Sequence, residues 1–346
     1  MNPKGNIFKA PSILIAAWVL FLPPLARADG ITPLVWAGVI HLFVGNAGIG
    51  ALEGYLLAKV FGTPTIRSIA LLIAGNYCSA WVGGLLFLKT ISRLLPWDLY
   101  NAGQLILLMV TLSFLMTIIL EFPFIAFSFS KNTFSFPKAF RASLLVQATS
   151  YVLLCGWYWS ASATSLLTEV QRVKISEFSF PEGIVLYFIS DKDGDVYSGR
   201  LSERNWRWLC DLNSTNIDDR LHLRISDSGA KFLEIVACLH DSKSPNGREQ
   251  VIQRIKLPRN ADDCAPYANP RSFVRTFFNF GPVPKIDRTK ANRWNFWCGF
   301  AAYVGLRGRN LSTGQTISIA LDTPFIAWHI RNAVQLPDDK VVFQLG

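Results

Sequence analysis

The chain has 346 residues, 51% of them hydrophobic and only 17% charged, with a net charge of +10. An average soluble domain carries about 25% charged residues, so this composition excludes both a disordered chain and an ordinary soluble one. The excess is spread as +2 over residues 1–30, +4 over 31–167 and +4 over 168–346. No Lys/Arg run tracks a phosphate backbone, which excludes nucleic acid as a partner and leaves a modest attraction to anionic lipid.

Charge density divides the chain near residue 168. Residues 31–167 hold seven Lys/Arg and three Asp/Glu, whereas 168–346 hold twenty-four and twenty. The expected organisation is a leader at 1–28, a helical membrane domain at 29–167 and a β-rich extracytoplasmic domain at 168–346.

The leader has the three parts of a secretory signal peptide. Lys4 and Lys9 are the positive start, Ser12–Leu25 is a short apolar stretch, and Ala26-Arg27-Ala28 offers small residues for cleavage after Ala28. Pro23-Pro24 ends any helix there, and the apolar run is short for a membrane span.

Four apolar stretches follow, at Ile31–Phe61, Thr65–Thr90, Ala102–Phe129 and Phe140–Leu167, each long enough to cross about 30 Å of hydrocarbon. Turn residues punctuate them: Gly62-Thr63-Pro64, then Pro96 and Asp98, then Lys131 and Asn132. With Asp29 outside, the inner ends carry Lys59, Arg67, Lys131, Lys138 and Arg141, and the outer loop carries Lys89 and Arg93. That bias agrees with the leader and places both termini outside the cytoplasm, in a multi-pass protein of the inner (plasma) membrane.

The first two spans hold small and polar residues at helical spacing. Gly50/Gly54 and Ala80/Gly84 are each four apart, which lets another backbone approach. Asn46 and Asn76 are suited to hydrogen-bonding across such a seam. A thirty-residue offset superposes Asn46 on Asn76 and Gly54 on Gly84, as a duplicated helix inserted in opposite directions would. Glu53 is explained least well by packing, because an ionised carboxylate in a span costs at least about 2.5 kcal/mol. It shares a face with Asn46 and Gly50, and its candidate partners for binding a cation or relaying a proton are His41 and Glu121.

Beyond Ser176 the pattern is short strands and turns. Strands are expected at Ile184–Ile189, Val196–Leu201, Arg220–Ile225, Phe232–Leu239, Val251–Leu257, Ala301–Leu306, Thr316–Leu321 and Val341–Leu345. Turns are expected at Asp193-Gly194, Ser228-Gly229, Asn246-Gly247, Thr313-Gly314 and Pro337-Asp338-Asp339. A sandwich or propeller-like all-β array is the expected class. The last strand reads as one without a partner, as in a shortened version of a longer chain.

Cys78 and Cys155 fall in spans. Cys210, Cys238, Cys264 and Cys298 fall in the β-rich half, where an outside location permits disulfides of unassigned pairing. Asp191, Asp193 and Asp195 lack the glycine and glutamate positions of a calcium loop. No motif for zinc, phosphate or nucleophilic catalysis is present, so no metal, cofactor or catalytic residue is expected. Two functions fit. One is an envelope protein whose outer β domain binds a partner protein or another copy of itself while the bundle anchors it in the bilayer. The alternative is a small transporter or channel-like unit with Glu53, Asn46 and Asn76 on its path.

Overall fold

The computed structural model describes residues 32–83, 89–171, 173, 183–200, 202–203, 205–214, 216, 219–226, 232–241, 244–256, 281–283, 285, 292–299 and 301–346. The expected leader, the Ser228-Gly229 turn, Gly84 and Cys264 lie outside them. The chain forms two compact units: residues 1–169 with 301–305 and 319–329, and residues 170–300 with 306–318 and 330–346.

In the first unit, helix α1 spans Pro33–Phe61. Thr32 caps its start by accepting from the Val35 N–H at 3.2 Å, with Pro33 in the first turn where its missing N–H costs nothing. One π turn, His41–Gly45, interrupts it, and Gly62 stops it at φ 72, a left-handed position that suits glycine. Helix α2 is Thr65–Ser79, α3 is Lys89–Leu94, α4 is Ala102–Ser128, α5 is Phe136–Ala161 and α6 is Ser165–Thr168.

Among the described residues three helices, α1, α4 and α5, are long and apolar enough to cross a membrane. The sequence predicts four. In the second, Thr65–Thr90, regular α-helix runs to Ser79, a π turn follows over residues 80–83 and helix resumes at Lys89, while residues 84–88 lie outside the described residues. Gly75, Gly83 and Gly84 lower helix propensity along this stretch. The last span also differs from expectation, beginning at Phe136 and ending at Ala161. At Ser162 the backbone becomes extended, and Ala163 pairs antiparallel with Asp322, exchanging bonds of 2.9 and 2.8 Å.

The three-residue turn 62–64 sends α2 back along α1. Gly50 and Gly54 make the approach close, since a Cβ on either would overlap the backbone at Ile73 or Ile69. The glycines of α1 thus meet the backbone of α2 at Ile69 and Ile73, while Ala80 is half-buried. Gly75 instead receives the Phe124 ring from α4. Leu57, Leu72, Ile125, Ala142 and Val146 pack at the heart of the bundle. Its sorting is inside-out: Phe43, Val44, Ile119, Phe127 and Val152 face outward, while Asn46, Glu53, Asn76, Glu121 and Gln147 are buried.

The second unit is built from small antiparallel sheets. One has the order β1-β2-β3, with β1 Val185–Ile189, β2 Val196–Arg200 and β3 Arg207–Cys210. A second is β4-β5-β6, with β4 Arg220–Ser226, β5 Phe232–Asp241 and β6 Ser244–Lys256. Val196, Leu212 and Ala237 form a core to which both sheets contribute. A third has the order β10-β9-β8-β7, from β7 Gly281–Pro282, β8 Trp294–Cys298, β9 Leu306–Asn310 and β10 Thr316–Ile319. β11 Leu321–Asp322 pairs with β12 Ala327–Trp328, within the first unit. β13 Ile330–Gln335 pairs with β14 Val341–Leu345.

No closed barrel forms among the described residues. Three strand readings change. Ala301–Val304 is a turn and the strand begins at Leu306. Asn246-Gly247 lies inside β6, because the reversal falls between the paired Asp241 and Ser244. The final strand has a partner in β13, joined through Asp338 and Asp339 at φ 61 and 59. Gly194, at φ 75 in the β1–β2 turn, is irreplaceable by space as well, since a Cβ would overlap the Ser214 backbone.

Candidate functional site

Glu53 on α1, Asn76 and Ser79 on α2, Glu121 on α4 and Gln147 and Ser150 on α5 meet inside the bundle. Asn76 links the acids, its Nδ2 donating to Glu53 Oε2 at 2.5 Å and reaching Glu121 Oε2 at 3.5 Å. The same nitrogen donates to Leu72 O at 3.0 Å, which fixes the side chain against its own helix. Ser79 Oγ donates to Glu121 Oε1 and Gln147 Nε2 to Glu121 Oε2, both at 2.5 Å. Glu53 is 2% exposed and Glu121 0%. Glu53 Oε1 is buried without a hydrogen-bond partner, and the Ser150 side chain faces the Glu53 carboxyl.

Local sequence explains the convergence. Glu53 lies between Gly50 and Gly54, so α2 can come close enough for Asn76 to reach it. Pro123, two residues beyond Glu121, leaves α4 one backbone hydrogen bond short beside the site. On α5, Ser143, Gln147 and Ser150 recur at helical spacing and are all buried. Counting about 1.5 Å per residue from the Phe61, Thr65, Ser128 and Phe136 ends, the cluster lies roughly 10–21 Å deep in the bundle.

Two carboxylates bridged by one nitrogen repel each other by about 3 kcal/mol if both are ionised, taking about 6 Å and an effective dielectric of about 20. Among the described residues neither has an ion-pair partner. The donors supplied are neutral amides and a hydroxyl. One positive charge or one proton at this point would remove that repulsion.

Of the sequence-chosen residues, Glu53, Asn76 and Glu121 come together. Asn46 does not join Asn76: its Nδ2 donates to Leu42 O at 3.3 Å, and its side chain lies beside His41. His41 is one π turn away, with Nδ1 2.7 Å from Tyr158 Oη and the rings edge to face at 5.6 Å. Sequence reading missed Ser79, Gln147, Ser150 and Tyr158. The α5 spacing was the available signal for Gln147 and Ser150. Cys210 and Cys298 are free thiols, as are Cys78 and Cys155.

A second buried acid lies where residues 319–329 join the helical unit. Asp322 is 4% exposed and its Oδ2 has no partner. Burial pushes its carboxyl up from 3.8 to about 6, against the opposing pull of the Thr32 hydroxyl. In the β1–β2 turn, by contrast, Asp195 accepts from Trp208 Nε1 at 2.9 Å and from the Leu212 N–H at 3.1 Å. The Trp208 bond, first, and these backbone donors hold its carboxyl below the ordinary range. Asp193 accepts from Tyr197 Oη at 2.7 Å and from the Asp195 N–H at 3.1 Å. Both therefore serve the turn itself. Searches against protein-family models, curated proteins and solved structures find no match for this chain.

Proposed function

We propose that the chain is a multi-pass membrane protein whose helical unit handles a small cation, as a transporter or channel-like unit centred on Glu53 and Glu121. The observation that carries this reading is the unpartnered, buried Oε1 of Glu53 beside a second buried carboxylate. A purely structural seam would favour satisfied groups, since an orphaned buried acceptor costs about 1–3 kcal/mol. The inside-out sorting of the bundle supports the membrane setting, and the Lys/Arg bias supports the orientation with both termini outside.

Reconstitution of the full chain in liposomes tests this. Glu53→Gln keeps the shape of the side chain and should leave insertion and assembly intact. Proton and sodium flux should fall to the level of protein-free vesicles. Loss of assembly with Glu53→Gln would instead make Glu53 a structural strut.

A second reading, that the outer β unit of this envelope protein binds a partner, is favoured by one observation. Tyr197 pairs across the sheet with Phe188 on one side and Trp208 on the other, and Trp206 meets the Phe188 ring edge-on at 5.1 Å. Trp208 remains 52% exposed. Aromatic side chains of this kind are common anchors of interfaces. Trp206→Ala with Trp208→Ala should abolish co-purification of an envelope partner without changing vesicle flux, and unchanged co-purification would refute it.

A further inference from the structure

We infer that the ion taken by this site is the proton, and that the two acids divide the work: Glu53 carries it on Oε1 while Glu121 stays ionised. The inference rests on the cation-handling reading above and names its substrate.

The donor pattern is unequal. Glu121 Oε2 is met only by amide donors, from Gln147 and, at 3.5 Å, from Asn76. Its Oε1 lies 2.5 Å from the Ser79 hydroxyl, whose single hydrogen is shared with Asn76 O at 3.0 Å. Two amide donors on one oxygen suit an anion, since an O–H on Oε2 would find hydrogens opposite it. Glu53 receives one donor, on Oε2, and its Oε1 receives none. An O–H on Oε1 needs an acceptor. The Ser150 hydroxyl lies beside the Glu53 carboxyl and gives its hydrogen to Gln147 O at 3.1 Å, which leaves its Oγ lone pairs to receive that O–H once Oε1 is protonated.

The bookkeeping of charge is simple. A proton from hydronium forms the O–H bond on Glu53 Oε1, water leaves, and the pair of acids drops from two negative charges to one. No electron moves.

The titratable groups facing the pair are few. Tyr151 on α5 is near both acids, with its hydroxyl 2.8 Å from Thr117 Oγ1. His41, on α1 itself, is bonded to Tyr158. From α2 come only the neutral Asn76 and Ser79. Among the described residues no three His, Cys, Asp or Glu side chains gather as metal ligands. The amides present nitrogen to the acids, where a metal ion would need oxygen.

Infrared difference spectroscopy of the full chain in liposomes near neutral pH tests this. A protonated carboxyl C=O band that moves in deuterium oxide should be present and should vanish in Glu53→Gln. Ser150→Ala should shift it by removing its acceptor, and Gln147→Leu should leave it in place. A band that survives Glu53→Gln and moves with Gln147→Leu would put the proton on Glu121 and overturn the assignment. Depletion of the band by sodium or magnesium at constant pH would overturn the proton as sole ligand. Absence of any such band, with flux intact, would also refute it. A band that behaves as expected without vesicle flux would refute transport and leave the proton site standing.

Discussion

At the scale of single residues, the bundle's polar centre depends on donors that outnumber what plain helix packing needs. Gln147 gives Glu121 its strongest amide contact at 2.5 Å. Gln147→Leu should therefore destabilise the helical unit by about 1–3 kcal/mol, read from denaturant unfolding in detergent micelles, because a buried anion loses a donor. Asp322 makes a prediction of opposite character. Its carboxyl stands at about 6 in the folded chain against an ordinary 3.8, so the folded state binds its proton more tightly. The pairing of Asp322 with Ala163 should be strongest below about pH 4 and weaken as pH rises through about 6. Amide exchange at Ala163 and Leu166, compared with an Asp322→Asn chain at each pH, should show that loss in the parent only. Glu53 was legible in the sequence because one carboxylate among apolar residues has few bland explanations. Its link to Glu121 was half legible. Gln147 and Ser150 were not, because neutral polar residues on a span are ordinary and only their convergence on an acid gives them meaning.

At the scale of elements, close approach of α1 and α2 sets everything around Glu53. Gly54→Val should drive the pair apart, costing roughly 1–3 kcal/mol by overpacking and lowering the detergent unfolding midpoint. Gly103→Ala, where a Cβ meets nothing within 4 Å, should be neutral or slightly stabilising in the same measurement. The four-residue glycine spacing announced a close backbone approach but not its partner. The structure opposes glycine to the backbone of Ile69 and Ile73 because the short turn at 62–64 fixes the antiparallel register. Sheet strands were readable where apolar and aromatic residues are bounded by turn residues, as in β1 and β2, which flank Asp193-Gly194. β8, Trp294–Cys298, and β3, Arg207–Cys210, were missed because Asn and Arg interrupt their apolar residues.

At the scale of the whole molecule, the split between an apolar helical half and a charge-rich half of small sheets was legible from charge density. What density did not reveal is that residues 301–305 and 319–329 belong with the helices. Orientation is open to direct labelling. In single-cysteine chains, Thr313→Cys should react with an impermeant thiol reagent on intact outer-stripped cells. Ser130→Cys should react only after the inner membrane is opened, and the reverse pattern would invert the topology.

The antiparallel bridge between Ala163 and Asp322 also has a consequence for how the protein is made. The stop of α5 is sealed by backbone groups that the ribosome delivers only after most of the following chain has been synthesised. The helices can form before that moment, but the end of α5 cannot be completed. Until the latecomer strand docks, Ala163 lacks these backbone partners, and a chaperone or protease sampling the nascent chain would meet it there first.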